Sequence, residues 1–155
     1  MSSYEIALFF HILGVLIFVA GIVVAGVAFE AARRRAQPAE VALLLSLARV
    51  GALMVMVGGL MVPAFGLWLV SITGVGYRAG WIQAALILYV VVLILGGLGG
   101  QAPKRARKHA RALAQAGSAG DTQLRALLDD RLALTANYVS ALIVLAILAL
   151  MVFQP

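Results

Sequence analysis

Few residues in this 155-residue chain are equipped for chemistry, and most of those lie inside apolar sequence. His11 stands between Phe10 and Ile12, Arg49 between Ala48 and Val50, and Tyr89 between Leu88 and Val90, while Asn137 and Ser140 flank Tyr138 and Val139. An imidazole in such surroundings can ligate a metal ion or a haem iron, carry a proton, or bond to a helix carbonyl or to Tyr89 and so hold two helices together. Arg49 can snorkel, pair with Glu30, Asp130 or Asn137, or receive an anion or a lipid headgroup. Met54, Met56 and Met61 are soft thioethers of the kind copper(I) favours, but flexible methionines also fill helix contacts, and packing is the expected role. The chain has no cysteine, which excludes disulfides, thiolate metal sites and cysteine nucleophiles. It also lacks a phosphate-binding glycine loop, paired catalytic carboxylates and any nucleophile constellation, so no enzymatic activity is expected.

The elements that must position these groups are four apolar stretches, Tyr4 to Phe29, Val41 to Thr73, Trp81 to Gly100 and Leu132 to Phe153. Hydrophobic residues make up 64% of the chain and charged ones 12%, with a mean hydropathy of +1.06. A soluble fold of this composition would expose apolar patches far larger than normal, whereas lipid accepts them. Backbone polar groups in hydrocarbon must be satisfied internally, which leaves helices or closed barrels. The apolar runs are too long and continuous for alternating barrel strands of roughly 10 residues. The expected fold is all-α: one polytopic membrane domain, a four-helix bundle with links at 30–40 and 101–131 and a short turn at 74–80.

Charge gives the orientation. The net charge is +6 and the isoelectric point about 10.5. Of the twelve Lys and Arg residues, only Arg78 lies in the turn between spans two and three; the others cluster around the two links. The positive-inside rule makes the links cytoplasmic and both termini external, in a multi-pass protein of the inner (plasma) membrane. Orientation accounts for the basic residues, so nucleic acid is not an expected partner. Lys104, Arg105, Arg107, Lys108 and Arg111 should lie against anionic headgroups, at about 1 kcal/mol per basic residue. Glu5 and the absence of Lys or Arg before span one are the reverse of a signal peptide, and Arg33, Arg34 and Arg35 read as a stop-transfer anchor. Asp121 is the expected N-cap of a helix that runs through Asp129, Asp130 and Arg131 into span four.

Membrane helices pack through small residues. Stepping by three and four along span one gives Ala7, His11, Gly14, Phe18, Gly21, Ala25 and Ala28, the expected buried stripe. Span two gives Arg49, Ala52, Met56, Gly59, Pro63, Gly66, Val70 and Thr73; span three gives Ala85, Tyr89, Val92, Gly96 and Gly99; span four gives Asp130, Ala133, Asn137, Ser140, Val144, Ile147 and Met151. Polar residues coincide with these faces on every span. A rise of about 1.5 Å per residue puts His11 roughly 9 Å below the outer surface and Tyr89 a little deeper. An outer zone around His11 and Tyr89, with Gly14 leaving room for a flat macrocycle, is therefore set apart from an inner polar cluster of Glu30, Arg49, Asp130, Asn137 and Ser140. His109, in the basic link, cannot reach His11 across the bilayer. A haem could then be held by one histidine, by a His–Met pair, or by two copies of His11 across a dimer.

Phe10-His11-Ile12-Leu13-Gly14 followed by Phe18-Val19-Ala20-Gly21 resembles the first helix of small bacterial membrane proteins of the copper-resistance-D type. It is also similar to the membrane-bound, haem-associated protoporphyrinogen oxidase family, which has an inward histidine on its first span. The ending Leu150-Met151-Val152-Phe153-Gln154-Pro155 looks like that of an uncharacterised family of four-span predicted integral membrane proteins. The oxidase-like family carries an intramembrane lysine that this chain lacks, and the copper family uses more ligands than His11 and scattered methionines. The resemblance thus implies an inward role for His11 and neither activity. The expected function is haem or metal-ion binding through His11. The rival readings are an accessory or scaffold subunit that docks partner membrane helices, and a small dimeric transporter, which the want of a mid-membrane acid disfavours. The double glycines Gly58-Gly59 and Gly96-Gly97 suggest a homodimer through span two or three.

Overall fold

The computed structural model describes residues 2–153; Gln154 and Pro155, which close the C-terminal motif, lie outside the described residues. The described residues form only helices: α1 (Ser3–Arg33), α2 (Pro38–Thr73), α3 (Gly80–Gly99), α4 (Gln101–Gln115), α5 (Thr122–Leu128) and α6 (Arg131–Phe153). Several boundaries have a local cause. Ser2 and Glu5 close a capping box at the start of α1, satisfying two otherwise orphaned donors. Pro38 opens α2, where a missing N–H costs nothing. Gly74 ends it in the left-handed region at φ 70°, which a side chain would disfavour.

Helices α1, α2, α3 and α6 are long and apolar enough to cross a membrane. They assemble as two pairs, α1 with α2 and α3 with α6. The first pair is the tighter. A Cβ on Gly58 would fall 2.5 Å from the Phe18 nitrogen, and one on Gly51 2.5 Å from the Ala25 nitrogen, so both positions require glycine for the backbones to approach this closely. Phe18 then reaches across to Ala85 and Val92 of α3 and Val144 and Ile147 of α6, joining the pairs through one apolar cluster.

A second core lies at the basic end. Ala102, Ala106 and Ala110, one helical turn apart, form the buried stripe of α4. Ala106 and Ala110 pack with Phe29 and Ala32 of α1, Val41 and Leu45 of α2 and Leu124 and Leu128 of α5. This core sits where α2 outruns the bilayer. Its 36 residues make a rod of about 54 Å, against roughly 30 Å of hydrocarbon. The long basic link is therefore folded structure that extends the bundle.

Two expectations are corrected. The helix after Asp121 does not run into span four: it stops at Leu128, and the Asp130 carboxylate accepts from the Ala133 N–H at 3.1 Å to start α6 afresh. An aspartate side chain that competes for backbone donors favours such a new cap over continuation. The inner half of α2 also turns a different face inward. Leu45, Ala48, Gly51 and Gly58 are buried, whereas Arg49, Ala52 and Met56 are exposed. On span one the expected stripe and the buried residues coincide at Ala7, Gly14, Phe18, Gly21 and Ala28.

Candidate functional site

The outer zone is a cavity of about 330 Å³ at the end of the bundle away from the basic links, bordered by all four long helices. His11 of α1, Val62 and Gly66 of α2, Trp81 and Tyr89 of α3 and Met151 of α6 line it. Nδ1 of His11 lies 3.0 Å from the carbonyl oxygen of Val62. A carbonyl only accepts, so Nδ1 carries the hydrogen, and in the neutral ring the lone pair then resides on Nε2. Gly66 makes the arrangement possible: a Cβ there would come within 3.1 Å of the imidazole Cε1.

Pro63 shapes the other wall. Having no N–H, it leaves the carbonyl four residues earlier, that of Gly59, without its helical donor. The Tyr89 hydroxyl donates to that oxygen and so ties α3 to α2 beside the cavity. His11 and Tyr89 are thus brought to one cavity but bond to different carbonyls of α2. Gly14 does not border it. A Cβ on Gly14 would meet the Met61 Cβ at 2.8 Å, so the space beside it is taken by α2 rather than left for a macrocycle. Val62, Gly66 and Trp81 were not singled out as site residues from sequence. The spacing of Pro63 four residues after Gly59 was the available signal that a carbonyl there needs an outside donor.

The inner polar residues are dispersed. Glu30 accepts from Arg33 at 2.9 Å and Arg34 at 3.2 Å, while Asp130 caps α6. Asn137 lies against Gly99 of α3, and the buried Ser140 hydroxyl donates to the Ala136 carbonyl at 2.7 Å. Arg49 meets none of these carboxylates within ion-pair distance. In the basic segment Lys104, Arg105, Lys108 and Arg111 are exposed and Arg107 is partly enclosed. His109 Nε2 lies 2.8 Å from Asp121, joining α4 to the start of α5. The Leu124 N–H, and then His109, hold the Asp121 carboxyl below its ordinary value.

Four long apolar helices, a mostly apolar cavity bearing His11 and Tyr89 at one end and a folded basic collar at the other define an integral membrane helical bundle. The chain belongs to the family described as predicted integral membrane protein (DUF2269), whose model matches residues 5–155. No curated protein and no solved structure matches the chain.

Proposed function

We propose that the protein binds a small, largely apolar cofactor in the outer cavity, with Nε2 of His11 as its anchoring atom, and that the cofactor is a haem. The observation that carries this reading is the His11–Val62 hydrogen bond at 3.0 Å. It fixes the ring and its tautomer through Nδ1–H, the support that ligating histidines generally have, and leaves Nε2 for a ligand. A bare metal ion is less well supported, since no group of three His, Cys, Asp or Glu side chains among the described residues could hold one. Haem iron already has four porphyrin nitrogens and needs only axial ligation from protein. At about 330 Å³ the cavity is near the lower end for small-molecule sites. It suits the iron-bearing centre of a macrocycle whose rim meets lipid tails.

With the basic collar cytoplasmic, as in an inner membrane, the cavity faces the outer leaflet. The accessory-subunit reading is favoured by one observation: only 17% of the apolar window of α6 is buried, the least of the four spans. The optical spectrum of the protein purified from haem-replete cells separates the two. A Soret band that is lost in His11→Ala and kept in Tyr89→Phe is the expected result. A colourless preparation carrying a stoichiometric membrane partner would replace this reading with the accessory one.

A further inference from the structure

All six Asp and Glu side chains are engaged with groups other than Arg49, Arg107 and Arg111. Glu5 closes the α1 cap, Glu30 holds Arg33 and Arg34, and Glu40 lies 3.8 Å from Arg35. Asp121 meets His109, Asp129 meets Arg33 at 2.9 Å, and Asp130 caps α6. Yet three arginines gather where α2 and α4 pack. Arg111 donates to the Ser46 hydroxyl at 2.9 Å, and that hydroxyl donates onward to the Ala42 carbonyl at 2.7 Å. Arg49 is one turn beyond Ser46 on α2, as Arg107 is one turn before Arg111 on α4. Burial, and then the neighbouring charges of Arg49 and Arg111, disfavour the charged form of the Arg107 guanidinium. Its Nη1 is enclosed and has no hydrogen-bond partner.

An enclosed guanidinium donor facing like charge, with no carboxylate in reach, is costly unless an anion joins it. Arginine forks match the oxygens of a phosphate group, singly or bidentately. Depth narrows the source. Roughly 20 residues span the hydrocarbon, so counting back from Thr73 puts its inner boundary near Leu53, and Arg49 about one turn past it. The end of α3 at Gly99 lies at a comparable depth, with Arg107 two turns beyond. We propose that Arg49, Arg107 and Arg111 form a niche for a phosphate group at headgroup depth, supplied by an anionic phospholipid. The niche is at the opposite end of the bundle from the His11 cavity and does not rest on the haem reading. Ser46 holds Arg111 in place. Lys108, on the side of α4 opposite its buried alanines, lies outside the niche.

The test is a thermal-unfolding titration of the full-length detergent-solubilised protein with phosphatidylglycerol, phosphatidylcholine or inorganic phosphate. Phosphatidylglycerol should raise the wild-type midpoint saturably, and phosphatidylcholine far less. Arg49→Gln/Arg107→Gln should weaken the apparent affinity roughly tenfold or more, the loss expected for charge-assisted hydrogen bonds. The charge-matched Arg105→Gln/Lys108→Gln should stay within about twofold, because diffuse surface attraction is nearly equal in the two variants. The single Arg49→Gln, at an exposed position, gives the same reading if the double variant loses helicity. An equally large shift with inorganic phosphate, lost in the same variant, would keep the phosphate niche but overturn the lipid as its source. Equal losses in both double variants, or no saturable shift in wild type, would overturn the niche itself.

Discussion

His11 with Gly66, and Tyr89 with Pro63, form two pairs of dependencies at one cavity. Proline removes a donor, tyrosine restores one to the Gly59 carbonyl, and glycine clears the volume the imidazole occupies. Tyr89→Phe should therefore destabilise the bundle by about 1 kcal/mol, since interhelical hydrogen bonds in membranes average below that and reach somewhat above it. Reversible unfolding in mixed detergent with SDS measures the change. No change would mean that the Gly59 carbonyl finds another partner at no cost. The sequence singles out the two side chains of this constellation because a histidine and a tyrosine in apolar sequence stand out. It cannot single out the acceptors, which are backbone carbonyls present at every position, and only the proline betrays one of them.

Small residues on α2 follow two adjacent stripes, and only contact with α1 shows which is used where. Ala52, Gly59 and Gly66 form one; Gly51 and Gly58 form the other and carry the close approach to α1. In water the apolar face would decide between them, but lipid solvates every face of such a helix, so hydrophobicity carries no information. Span one is legible because most of its small residues, Ala7, Gly14, Gly21, Ala25 and Ala28, share one face. On span two, a stripe anchored on Arg49 lies one position out of register with the face that packs on α1. Gly58→Leu should consequently disrupt the α1–α2 pair itself and lower the yield of folded protein. Gly97→Leu, at a position with no neighbouring atom within 4 Å of a built Cβ, should insert and fold normally. Detergent-extractable yield and the unfolding midpoint distinguish the two. With Gly58 and Gly59 packed inside the bundle, a homodimer through a double glycine would draw on Gly96 and Gly97, and cross-linking of Gly97→Leu in native membrane reads that directly.

At the scale of the whole molecule, the four-helix layout and its single basic end were legible from hydropathy and charge alone. The docking of the collar was not, because α4 and α5 meet α1 and α2 through alanine and leucine contacts between segments distant in sequence. Arg125 completes that docking by donating to the carbonyls of Arg33 and Arg35 at 2.9 and 2.7 Å, capping the end of α1 from a distant part of the chain. With the collar cytoplasmic, reporter fusions after Arg35 and after Tyr77 should report opposite sides of the membrane. A same-side result would sink the topology.

The pairing of α3 with α6 sets the order in which the protein can be built. On the ribosome α1 and α2 emerge consecutively and can close on each other as a hairpin soon after insertion. Helix α3 emerges next, but its principal membrane partner is α6, synthesised later, with α4 and α5 between them. Until then α3 must wait in lipid with the face bearing Ala85, Val92 and Gly99 uncovered, while α4 can already dock on α2 outside the bilayer. The collar would thus hold the half-made bundle in register during biogenesis, before the second pair exists.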